Sequence, residues 1–159
     1  MASIQASQLE TKRFKIRPGL WHIALMLVAV GLFISGYLTI VKLTSAEVLC
    51  VDGGIFDCAA VENSQWATMF GIPVAILGLL GYASIGVLLI LENFSPAAYR
   101  PALQVATFAI VLISWLFSMW LVYVQAIILH AFCQWCLAHE LNITILFGIV
   151  SYRLWQALK

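Results

Sequence analysis

The residues of this 159-residue chain best suited to covalent chemistry are its four cysteines. Cys50 and Cys58 flank "VDGGIFD", and Cys133 and Cys136 bracket two residues in "FCQWCLAHE". A Cys-x-x-Cys pair near the start of a helix brings two sulfurs within reach of each other, and the unpaired N–H groups of a helix N-terminus favour a thiolate. The chemistry is then thiol–disulfide exchange. An inert bridge or half of a zinc site would use the same residues, but C-x7-C followed by C-x2-C does not match a pair of short zinc knuckles. Gly53 and Gly54 let the backbone double back, so a Cys50–Cys58 disulfide is sterically reasonable. Alone, that pair would serve equally well as a loop staple. With a second pair nearby, one can attack the other through a mixed disulfide, and a relay becomes available. Four cysteines allow several resting connectivities, and the spacing does not choose among them.

The elements that position these cysteines lie in a membrane. The chain is 64% hydrophobic and 9% charged with a mean hydropathy of +1.02, outside the range of soluble domains. Residues 18–41 carry no formal charge, a second apolar tract runs over 63–91, and a third is uncharged from Pro101 to His139. The third is too long for one crossing and folds into two antiparallel helices turning near "HAFCQWC". The expected architecture is an all-α membrane protein, a four-transmembrane-helix bundle. Its helices fall at about 20–42, 69–91, 102–130 and 133–157, with an external redox loop at about 43–68 between helices one and two. Residues 1–19 form a cytoplasmic N-terminal tail and 20–159 one membrane domain.

Lys12, Arg13, Lys15, Arg17, Arg100, Arg153 and Lys159 fall on one side of this topology, which the positive-inside rule makes cytoplasmic, and Lys42 alone lies opposite. All four cysteines then face the extracytoplasmic side, where disulfides persist. The first apolar run is longer than a signal-peptide core, so an uncleaved anchor is expected. There is no internal repeat, and no charge block suited to nucleic acid. A relay at a bilayer boundary must end on an acceptor, and a lipid-soluble quinone is the one that such a dithiol meets most readily. No haem-type His pair or glycine-rich nucleotide loop offers another cofactor.

Together these features resemble the bacterial form of the vitamin K epoxide reductase family over about residues 20 to 157. The matching pattern is the loop pair Cys50 and Cys58, Ser64 six residues later, Gly71 and Pro73 in "FGIPVAILG", and the late pair Cys133 and Cys136. The DsbB family also has four helices and two cysteine pairs, but its C-x-x-C lies in the first external loop rather than last. The resemblance implies a quinone, ubiquinone or menaquinone, held beside Cys136 and capped by the loop. It implies that a separate DsbA-like or thioredoxin-like protein reduces Cys50–Cys58, that Cys58 attacks Cys133, and that Cys136 leaves as the thiolate that reduces the quinone. Ser64 is expected to hydrogen-bond to a thiolate or to the loop that carries it. The chain departs from vertebrate-related members in having Glu140, preceded by His139, where they have tyrosine, so no inhibitor or epoxide site is carried over. The implied location is a bacterial inner membrane, with both termini cytoplasmic and the quinone pool and lipid bilayer as surroundings.

Glu140 lies one turn beyond Cys136 on the same helix face, which makes it a candidate for proton transfer beside the quinone or for an interfacial hydrogen bond. Trp135 and Trp66 sit at the external boundary, as wall residues of a quinone pocket or as anchors. His139, His22 and His130 read as interfacial, Trp21 and Trp155 as cytoplasmic-side anchors. Gly71, Gly78 and Gly81 read as packing positions in helix two, with Pro73 in its first turn. The same dithiol chemistry would also reduce a quinone epoxide. A non-catalytic membrane scaffold with two structural disulfides is the reading from a different class.

Overall fold

A computed structural model describes residues 18–51 and 53–159. The basic residues Lys12, Arg13, Lys15 and Arg17, most of the expected tail, and Asp52 lie outside the described residues. Four long helices dominate: α1 (Pro18–Thr44), α3 (Val74–Phe94), α4 (Arg100–Tyr123, continued by a π-helical segment Val124–Leu129) and α5 (Gln134–Leu158). Each is long and apolar enough to cross a membrane. A short helix, α2 (Cys58–Glu62), lies in the segment joining α1 to α3. Large side chains such as Phe33, Ile113, Leu116 and Leu141 are exposed on the outer surface of the bundle, where a bilayer rather than water is the compatible solvent. The protein is therefore a multi-pass, all-α membrane protein.

The bundle core is built from Ala24 and Val28 of α1, Tyr82, Ile85 and Leu89 of α3, Val111 of α4, and Ile143, Leu146 and Val150 of α5. Small residues set the spacing, since lipid offers no hydrophobic drive for helix association and close contact must supply it. A Cβ on Gly31 would fall 2.2 Å from the Tyr82 ring, so α1 and α3 approach only because that position is glycine. Asn142 then donates to the Tyr82 hydroxyl at 2.9 Å and to the Leu27 carbonyl at 3.0 Å, tying α5 to both.

Helix two starts later than the sequence reading places it. Residues 68–73 form a minimal hairpin pairing Thr68 with Pro73 and Met69 with Ile72. Phe70 and Gly71, with φ of 52° and 81°, make its two-residue turn, the left-handed geometry such hairpins need. Gly71 is thus a turn residue rather than a helix-packing one. Pro73 is the N-cap of α3, where its missing N–H costs no hydrogen bond. Arg153, counted from sequence among the basic residues expected on the cytoplasmic side, is buried and paired with Glu92 of α3 at 2.8 Å.

Candidate functional site

The four cysteines converge at one end of the bundle. Cys50 and Cys58 form a disulfide with a Cα–Cα distance of 6.1 Å, while Cys133 and Cys136 are free thiols. Cys58 and Cys133, both fully buried, pack in one apolar cluster with Val61 and Ala131, and Cys50, Trp135 and Cys136 lie against it.

Local structure explains the convergence. Gly54 adopts φ 66° and Phe56 N–H closes a turn on the Gly53 carbonyl at 3.3 Å. The chain then runs beside Phe132: Phe132 N–H donates to the Ile55 carbonyl at 2.9 Å, and Asp57 N–H donates to the Phe132 carbonyl at 3.1 Å. Asp57 caps α2 by accepting from the Ala60 N–H at 2.8 Å. These bonds set Cys58, the first residue of α2, next to Cys133, the N-cap of α5. A sulfur at a helix N-cap is where the helix dipole favours a thiolate.

The two residues inside the C-x-x-C hold the other half of the loop. Trp135 Nε1 donates to the Leu49 carbonyl at 2.8 Å and Gln134 Nε2 to the same oxygen at 3.1 Å, while Val51 N–H donates to Gln134 Oε1 at 3.4 Å. Tyr37 adds its hydroxyl as acceptor for Leu49 N–H and its ring against Trp135, with centroids 4.7 Å apart. The "QW" insert is therefore a clamp on the segment that carries Cys50.

On the bundle side Cys136 lines a cavity of about 90 Å³ together with Ser64, Trp66, Pro73, Leu121, Gln125 and His139. A second cavity of about 270 Å³, walled by Tyr82, Ile113, Phe117 and Ile143, extends into the membrane-spanning region. Leu38, Val74, Ala75, Ser118, Leu121 and His139 border both. The arrangement is a pocket beside a thiol that shares a wall with a larger apolar cavity.

The candidate residues from the sequence distribute unevenly around this cavity. Ser64 and Pro73 line it, and the Ser64 hydroxyl donates to the Val61 carbonyl at 2.8 Å, so it secures the end of α2 rather than a sulfur. Trp135 does not line it: its indole N–H is committed to Leu49, whereas Trp66 does contribute wall. Glu140 is not among the lining residues either. It is buried behind the wall, accepting from the Ser118 hydroxyl and from Thr144 Oγ1 at 3.0 Å. His139, expected at the interface, instead reaches the cavity, 3.4 Å from Ser118 Oγ and edge-on to Tyr82. Its spacing of three from Cys136 was the available signal, because i and i+3 share a helix face.

Three further residues escaped the sequence reading. Gln125, buried in the π-helical segment, accepts the Cys133 N–H on its Oε1 at 2.9 Å and so fixes the start of α5. Lys42, at the cysteine end of α1, donates to the Glu62 carbonyl at the end of α2, a cation placed where helix carbonyls are unpaired. Glu62 itself brings its carboxylate within 4.8 Å of both Cys133 and Cys136 sulfurs. Burial raises its carboxyl above the ordinary glutamate value, against the smaller opposing pull of Lys42.

A four-helix membrane bundle carrying a disulfide, a free dithiol and an adjoining apolar cavity defines a membrane redox protein. Residues 22–151 match the family model of the vitamin K epoxide reductase family, and the chain belongs to that family. It is accordingly an oxidoreductase of the membrane.

Proposed function

We propose that the protein is a membrane thiol:quinone oxidoreductase that supports disulfide formation in exported proteins. A reduced DsbA-like or thioredoxin-like partner would reduce Cys50–Cys58 by dithiol–disulfide exchange. The Cys58 thiolate then attacks Cys133 of an oxidised Cys133–Cys136 pair, with Cys136 leaving as thiolate, and Cys50 resolves the mixed disulfide. The products are a loop disulfide and a free dithiol, the same redox arrangement as in the structure. A quinone, ubiquinone or menaquinone, accepts the two electrons and two protons of that dithiol. The reading places the chain in a bacterial inner membrane, with both termini cytoplasmic and the cysteines extracytoplasmic. The single observation that carries it is that Cys136 lines a cavity sharing a wall with a larger apolar cavity while Cys133 packs against Cys58.

The test is anaerobic quinone reduction with a reduced thioredoxin-like donor. Wild type should turn over, Cys136→Ala should not, and a protein carrying Cys50→Ala with Cys136→Ala should accumulate a Cys58–Cys133 mixed disulfide by non-reducing peptide mapping. Retention of all cysteines in unchanged pairs during incubation with donor and quinone would instead identify a stapled scaffold.

A further inference from the structure

Glu62 belongs to two cavities at once. It lines the apolar cavity that holds Cys136, and it also lines a separate polar pocket with Lys42, Glu47, Cys50 and Asn63. Its carboxylate, in reach of both free sulfurs, is half-buried between the two spaces. Oxidising a dithiol is as much a proton problem as an electron problem: two S–H bonds break, one S–S bond forms, and two protons must leave an apolar site. Neither sulfur offers a proton route of its own, since Cys133 is fully buried and Cys136 faces the apolar cavity.

We infer that Glu62 is the proton-transfer group of the dithiol, passing protons between the Cys133 and Cys136 thiols, the acceptor cavity and the external polar pocket. This deepens the quinone-reductase reading and rests on it for the identity of the acceptor. The Glu62 carboxylate takes the proton of the Cys136 thiol, and the acid so formed gives it up on the cavity side. Restored to a carboxylate, it takes the Cys133 proton as the S–S bond closes. The two electrons released as the S–S bond closes go to the quinone, and the quinol receives both its protons from Glu62, the first from Cys136 and the second from Cys133. Glu62 is then reprotonated once from the polar pocket and stays the acid in the disulfide state, returning that proton to Cys133 when the pair is re-reduced.

Its surroundings suit a group that must gain and lose a proton. Burial favours the neutral acid, and the Lys42 ammonium from α1 favours the carboxylate. From α5 the facing titratable groups are Cys133, Cys136 and, around the shared cavity, His139, while Glu47 faces it across the polar pocket. A general acid–base group balanced between forms works best when both are accessible near the working pH.

The first readout needs no quinone. Redox-difference infrared spectra of the purified protein, with the dithiol cycled by a chemical oxidant and a soluble reductant, should contain a carboxylic-acid carbonyl band that disappears in Glu62→Gln. Turnover of Glu62→Gln with quinone should fall about 10²-fold, with partial recovery in Glu62→Asp or on adding formate, which can enter the polar pocket. If Glu62→Gln turns over at the wild-type rate, or is slow but insensitive to formate while Glu62→Asp is equally slow, the inference is overturned. If no carboxylic band in wild type responds to the dithiol, it is overturned whether or not the variant folds. Wild type that shows the band but reduces no quinone would sink the quinone reading and leave the proton role of Glu62 standing.

Discussion

His139 and Glu140 are adjacent in sequence and do different things. His139 meets the cavity, whereas Glu140 supports the wall behind it through Ser118. Ser118→Ala would leave a buried carboxylate short of one donor and His139 short of its polar neighbour, at a cost of about 1–3 kcal/mol. Denaturation in detergent micelles should register that loss, and unchanged stability would mean that the hydroxyl contributes nothing. Glu62 carries a second prediction. Because its folded-state carboxyl lies above the ordinary value, the folded protein holds this proton more tightly than the unfolded chain does. The associated stability is present below the ordinary glutamate range and is lost as pH rises through the raised value. Glu62→Gln does not titrate, so its melting temperature relative to wild type should climb from mildly acidic to mildly alkaline pH. A constant difference across that range would show that burial does not perturb the group. The cysteines were legible in the sequence because residue type and spacing mark them, and Ser64 only through the family resemblance. Glu62 was not, because an acidic residue in a polar loop looks solvated until the fold brings it to the sulfurs.

At the scale of elements, the four membrane helices could be read from their uncharged tracts, since only helices that satisfy their own backbone can cross lipid. The start of α3 could not, because "FGIP" is as apolar in a hairpin as in a helix and the deciding feature is the positive φ of Phe70 and Gly71. Nor does apolar periodicity reveal the π-helical segment that points Gln125 at the Cys133 N–H. Two element-level predictions follow from contacts that only the fold supplies. Trp135→Phe removes the indole donor to Leu49 but keeps an aromatic ring near Tyr37. It should slow exchange between the loop disulfide and the dithiol in stopped-flow measurements, while direct oxidation of a pre-reduced Cys133–Cys136 pair by quinone stays near wild type. The reverse pattern would return Trp135 to the wall of the proposed quinone pocket. Gly31→Ala places a methyl inside the Tyr82 ring, and the forced separation of α1 from α3 should cost about 1–3 kcal/mol. Thermal unfolding of that variant at wild-type temperature would mean that Tyr82 has another place to go.

At the scale of the whole molecule, two polar clusters sit at opposite ends of the bundle. One end holds the cysteines, Glu62 and the cavity. The other holds a buried cluster in which Arg153 of α5 donates to both oxygens of Glu92 on α3 at 2.8 and 3.0 Å, and Gln104 of α4 donates to the same carboxylate at 2.7 Å. Sequence supplied the charge of Arg153 for topology but not its partner, 61 residues away. A buried ion pair is weak evidence of net stabilisation, because desolvating both charges offsets most of their attraction, yet stranding one of them is costly. Glu92→Leu alone or Arg153→Met alone should therefore destabilise by about 3–5 kcal/mol, whereas the double variant should recover most of that loss. Because Glu92 lies roughly 28 Å along α3 from Pro73 at the cavity, the double variant should also keep wild-type rates of dithiol exchange. Recovery of stability without recovery of rate would show that the ionic end sets the helix register on which the cysteine geometry depends. Recovery of both would make the cluster a device for assembling three helices, separable from the chemistry at the far end.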